Sequence, residues 1–125
     1  VSQITKLKDI KSSRQIVCKK YYESLNDLKW VEAPKGDFDS VVPFLYYIRV
    51  LNGKRSELRE HLSAQKIDTG IHWQPGHSFS YFTECKKGDL RVTELISDQI
   101  LSLPLHSQMK ENDVDRVIDA IRSFK

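Results

Sequence analysis

The chain has 125 residues, 39% of them hydrophobic, with 20 Lys and Arg against 17 Asp and Glu for a net charge of +3. That length makes one ordinary domain, able to bury roughly two thirds of the surface its unfolded form exposes without disulfide or metal staples. Interspersed charges argue against a dedicated nucleic-acid binder, and the absence of a bilayer-length apolar run or signal-peptide layout argues against a membrane protein.

In chain order, Ile4, Leu7, Ile10, Val17, Tyr21 and Leu25 recur at helical spacing, interrupted by Arg14, and predict one long amphipathic helix over residues 2–25. That stripe is more extensive than a small sheet needs, so part of it is expected to face another domain. The chain opens at Val1 inside the pattern and without an initiator methionine. It is therefore expected to be a piece of a longer polypeptide. Residues 29–40 hold Pro34, Gly36 and two aspartates and read as a polar connection, in which Trp30 and Val31 form a short strand or bridge. Residues 43–51 are dense in β-branched and aromatic side chains and end at Asn52-Gly53, which gives the central strand and its turn. Leu58 and Leu62 lie one turn apart in a short surface helix over residues 56–65.

Residues 67–73 alternate and predict a second strand; residues 90–99 predict a helix through Leu90, Leu95 and Ile96. Ile100 to Leu103 is a third strand stopped by Pro104. The last helix carries acidic residues at its start and an apolar stripe of Val114, Val117, Ile118, Ile121 and Phe124. The order contains no internal repeat and predicts an α/β (α+β-like) domain: a small three-stranded sheet covered by helices, with residues 41–125 as the sheet-and-helix body. Strand direction is left open by spacing alone.

Most motifs that could carry chemistry fail on spacing. His72, His77, Cys85, His61 and His106 offer metal-ligand types without the tight pairs of a zinc site, so no metal is expected; His61 and His106 read as surface residues near element ends. Gly53-Lys54-Arg55-Ser56 lacks the upstream glycine of a phosphate loop. Cys18 and Cys85 sit in unlike contexts with no base placed beside either, which suits free thiols in a reducing cytoplasm. What remains is Thr69-Gly70-Ile71-His72-Trp73-Gln74-Pro75-Gly76-His77. Two imidazoles and an indole around a proline-glycine bend suit a polar, ring-shaped ligand, because histidine exchanges hydrogen bonds with oxygens and tryptophan offers a stacking face. A core or interface aromatic flanked by loop-capping histidines is the competing reading, and the residues alone leave both open.

Four segments together resemble the C-terminal portion of the DegT/DnrJ/StrS family of sugar aminotransferases. "QITKLKDIKSSRQIVCKKYYESL" is similar to the family's Gln-x-x-Lys-Leu helix, and "FLYYIRVLNGKRSELREHLSAQKI" to its strand, Arg-x-x-Leu and following helix. "DTGIHWQPGH" resembles its His-Tyr-x-Pro-Leu-His stretch, and "ILSLPLHSQMKENDVDRVIDAIRSF" its Leu-Ser-Leu-Pro segment and closing helix. Trp73 stands where the family usually has tyrosine, Gly76 where it has leucine, and Lys66 where a glycine commonly precedes the isoleucine. The helix start near Lys110 lacks the usual hydroxyl cap.

The resemblance implies the small C-terminal domain of a fold-type-I transferase that uses pyridoxal phosphate to aminate a keto group on a nucleotide-linked sugar. It implies that the Schiff-base lysine and most cofactor contacts belong to a larger domain absent from residues 1–125. No catalytic or cofactor-binding residue and no bound pyridoxal phosphate are then expected in this chain alone, which should be inactive by itself. His72, Trp73 and His77 are the implied substrate contacts. A nucleotide sugar, an amino-acid amine donor and a homodimer formed through the large domain are the implied partners, with no nucleic acid and no membrane. A stand-alone binding or regulatory module of the same fold is the alternative.

Overall fold

A computed structural model describes residues 2–124; Val1 and Lys125, the ends of the expected domain, lie outside the described residues. A short helical segment, Ser2–Thr5, leads into α1, Leu7–Leu25. Strands β1 (Val31–Glu32) and β2 (Tyr46–Val50) follow in succession, then helices α2 (Arg55–Ala64) and α3 (Arg91–Gln99), strand β3 (Ile100–Leu103) and helix α4 (Glu111–Ser123). The expected small sheet covered by helices is what forms. Its direction is antiparallel throughout, in the order β1-β2-β3, with Val31 opposite Val50, Ile48 opposite Leu101 and Tyr46 opposite Leu103.

The strand period sorts β2 cleanly. Tyr46, Ile48 and Val50 are buried while Tyr47 and Arg49 are half-buried, so one face meets the core. Against that face α1 contributes Val17, Cys18, Tyr21 and Leu25, α2 contributes Leu58 and Leu62, and α4 contributes Val114, Val117, Ile118 and Ile121. Fully burying a side chain of this size contributes about 1.5–3 kcal/mol, which makes this core the main stabilising term. Tyr21 and Tyr46 meet with ring centroids 5.2 Å apart, and the Tyr21 hydroxyl donates to the Pro104 carbonyl at 3.0 Å. The buried phenol thus finds the partner its polar tip requires. On the outer face Arg49 bridges the sheet, giving Nη1 to Glu32 at 2.7 Å and Nε and Nη2 to Gln99 at 3.0 and 2.7 Å.

Only the second half of α1 is core. Ile4 and Leu7 are 76% and 49% exposed, Ile10 is half-buried and Val17 is buried, so the long apolar stripe divides where the helix runs past the sheet. At the start of α4, which lacks a hydroxyl cap, the Asp113 carboxylate accepts the Lys110 backbone N–H at 2.9 Å, the reciprocal half of a capping box.

The expected strand over residues 67–73 does not form, and β1 is the third strand instead. Residues 65–67 are committed to closing α2: Lys66 N–H donates to Ser63 O at 2.9 Å and Ile67 N–H to Leu62 O at 3.0 Å, with Lys66 left-handed at φ 59°. Those two bonds are a Schellman closure, and they place Ile67 back onto the core. Beyond it the backbone meets the sheet through Gly70, in a single antiparallel bridge to Ser102. The alternation of residues 67–73 therefore reflects one buried anchor and one bridge, without a ladder.

Candidate functional site

The stretch from Thr69 to His77 starts at the free edge of β3. Gly70 N–H donates to Ser102 O at 3.1 Å, and Ser102 N–H returns a bond to Gly70 O at 2.8 Å. Two residues on, the His72 ring lies back over Gly70, and its Nδ1 is 2.9 Å from Ser102 Oγ. The ring occupies the space a side chain at position 70 would need, since a Cβ there would stand 2.6 Å from His72 Cε1. Glycine is required for that close approach. His72 borders a cavity of about 270 Å³ together with Phe44, Asp68, Ser102 and Pro104.

Trp73 lies beside the His72 ring, with centroids 5.8 Å apart, yet it borders a different space. Together with Arg55, Gln74, His77, Glu94 and Asp98 it lines an open cleft of about 520 Å³ between the start of α2, the bend and α3. The bend is a single 3-10 turn, Gly76–Ser78, entered through Pro75, whose carbonyl accepts from both the backbone N–H (2.9 Å) and the hydroxyl (2.7 Å) of Ser78. This turn delivers His77 to α3, where its Nε2 is 3.4 Å from Glu94 Oε1. Arg55 is drawn to the same helix, giving Nη1 to Ser97 O at 3.4 Å, while its buried Nε has no partner in the described residues.

The structure therefore joins Trp73 and His77 and sets His72 apart. No hydrogen bond or ring contact links the two histidines among the described residues. The cleft also takes in Arg55, which the sequence offered only in a failed phosphate-loop pattern, and Glu94 and Asp98, which it did not single out. For Arg55 the available signal is its place at the head of the Arg-x-x-Leu stretch; for Glu94 and Asp98 the one-turn spacing on a helix is the signal.

The lining fits a polyhydroxylated ring. Carboxylates accept from hydroxyl groups, an amide and a guanidinium donate, and an indole with 68% of its surface exposed offers an apolar face of ring size. Pyridoxal phosphate does not fit here, because it needs an amine able to lose its proton and no lysine borders the cleft. Lys20, which with Lys110 borders a separate cavity, is held by Asp115 at 2.7 Å and Glu111 at 3.1 Å. Those carboxylates raise its pKa, the wrong direction for a nucleophile. The described residues contain no group of three or more His, Cys, Asp or Glu able to hold a metal, and no helix long and apolar enough to cross a membrane. Of the other histidines, His61 is half-buried with Nε2 3.0 Å from Ala120 O, and His106 is exposed.

The chain is a small α/β domain, with helices packed on a three-stranded antiparallel sheet and an aromatic and acidic cleft beside it. The sequence model of the DegT/DnrJ/EryC1/StrS aminotransferase family matches residues 1–122, and the chain belongs to that family. Its fold is similar to part of the aminotransferase DesV of S. venezuelae, solved in complex with a ketimine intermediate, at 30% identity and a TM-score of 0.85 over 95% of this chain and 33% of that one. A DegT DnrJ EryC1 StrS aminotransferase of Brucella abortus is similar at 28% identity and a TM-score of 0.82, over 98% of this chain and 33% of that one. NtdA of Bacillus subtilis, solved with bound cofactor PMP, shares the fold at 21% identity and a TM-score of 0.80, over 90% of this chain and 28% of that one. The chain thus spans about a third of the length of these solved relatives.

Proposed function

We propose that this chain is the substrate-side domain of a pyridoxal phosphate-dependent aminotransferase acting on a keto sugar carried by a nucleotide. The observation that carries the reading is Trp73, held open to solvent on a cleft whose other walls are Glu94, Asp98, Gln74 and Arg55. In this reading the sugar ring stacks on the indole, its hydroxyls donate to the two carboxylates, and Arg55 and His77 meet its oxygens. His72 reaches the same ligand from the neighbouring cavity.

The role of these groups is positioning: a ring fixed in place reacts faster because orientation is established before chemistry begins. The cofactor supplies the electron sink for amino transfer when bound, and in this reading a larger domain of the same cytoplasmic, homodimeric protein holds it. An amino acid serves as amine donor. Residues 1–125 by themselves hold substrate without transaminating it.

Titration calorimetry of the complete protein with a UDP- or dTDP-linked hexose tests the reading. Trp73→Ala is expected to weaken binding about ten- to a hundredfold, the scale of a lost stacking face of about 1–3 kcal/mol. Equal affinity in a folded Trp73→Ala protein contradicts it.

A further inference from the structure

Among the described residues, the Ser102 hydroxyl has one hydrogen-bond partner, the His72 ring. Ser102 is 6% exposed, its backbone N–H and carbonyl are both taken by Gly70, and His72 Nδ1 is the one partner of its Oγ among the described residues. A proton on Nδ1 would donate to that oxygen and leave the hydroxyl hydrogen with no acceptor among the described residues. Buried donors left in that condition are rare because their desolvation is uncompensated. With the hydroxyl donating instead, both groups are satisfied, and the neutral imidazole carries its hydrogen on Nε2. That nitrogen makes no hydrogen bond to any other described residue.

Gly70 completes the seat. The ring lies so close that a Cβ would fall 2.6 Å from Cε1 and 3.0 Å from Nδ1, and no rotation of an added methyl group relieves the contact. The backbone bridge fixes Gly70 and Ser102 against each other, so the hydroxyl and the flat surface stay in register.

We propose that Ser102 and Gly70 are positioning residues for His72, fixing a neutral ring whose Nε2–H is offered as a donor to an oxygen of the sugar substrate. The substrate half rests on the function proposed above; the tautomer and its cause do not. The mechanism resembles the outer partners that fix ring nitrogens in other histidine sites, with a serine hydroxyl in the orienting role.

Two measurements separate the halves. Long-range proton–nitrogen spectra of the chain labelled with nitrogen-15 in histidine, at about pH 8.5 where an ordinary imidazole is neutral, read the tautomer directly. The Nε2–H form of His72 is expected in the parent and in Ser102→Thr. In Ser102→Ala the Nδ1–H form should become detectable and the Nδ1 resonance should move. A parent ring protonated on Nδ1, or a tautomer ratio indifferent to Ser102→Ala, overturns the positioning role without any variant needing to be active. In the complete enzyme, Ser102→Ala should raise the KM for the sugar several-fold with the amine-donor half-reaction unchanged, and Ser102→Thr should restore it. A tautomer that responds while neither Ser102→Ala nor His72→Gln alters that KM overturns the substrate contact and leaves the positioning role standing.

Discussion

Trp73 is open to water, so its removal separates binding from folding. Its loss should change stability by no more than about 0.5 kcal/mol, as for exposed positions without special partners, while the sugar affinity falls. A thermal melt of Trp73→Ala checks the first half, and a large drop in melting temperature would make the indole a structural residue. Cys18 is the opposite case. Burial pushes its thiol up to about 11, with Arg14 beside it pulling the other way, so it is not an activated nucleophile. A folded value raised above the unfolded 9.0 means the contribution is complete below about pH 9 and is lost as pH climbs toward 11. Burial likewise raises the phenols of Tyr21 and Tyr46 and extends the loss above pH 10. Denaturant titrations at pH 7 and 10.5 should show Cys18→Ala losing on the order of 2 kcal/mol less than the parent between the two pH values. An equal loss in both proteins would contradict the thiol's part.

At the scale of elements, the close of α2 exposes a cost the chain carries. Lys66 adopts φ 59° to complete the Schellman bonds, a conformation that a side chain disfavours by about 1 kcal/mol. Lys66→Gly, the residue the related pattern commonly has, should therefore raise stability by up to about 1 kcal/mol, measured by chemical denaturation; a loss would mean the lysine side chain makes up the difference. The four longer helices and the central strand are legible in the sequence because their apolar periods are long enough to dominate. Residues 67–73 mislead because Ile67 is buried as a helix-closing anchor and Gly70 as a one-residue bridge, and alternation cannot tell those from a ladder. Strand β1 has two residues and no period to read, so the sequence offers it only as a short strand or bridge at Trp30 and Val31. Within the site, the composition of the bend points to Trp73 and His77, but the partner of His72 is thirty positions away, as Ser102, where no local pattern could reveal it.

The whole molecule shows why one helix serves two purposes. Its second half is core: Leu25 is fully buried, and Leu25→Ala should cost about 2–5 kcal/mol. Leu7 at its start, and Ile4 in the short helical segment before it, stand outside the core, so Ile4→Lys and Leu7→Lys should each shift stability by no more than about 0.5 kcal/mol in denaturation experiments. A cost near that of Leu25→Ala would place those side chains in a packed environment. The division matches a domain that spans about a third of its solved relatives and leaves an apolar helix face uncovered within itself. The cleft is lined by Trp73, His77, Glu94 and Asp98 and by no lysine.

Separate measurement of the two half-reactions in the complete enzyme tests most directly the claim that this domain recognises the sugar. Trp73→Ala and His72→Ala should each lower kcat/KM for the sugar half-reaction about ten- to a hundredfold, while the amine-donor half-reaction stays within about twofold of the parent. Folded variants that use the sugar as well as the parent does, or that lose both half-reactions equally, would contradict it.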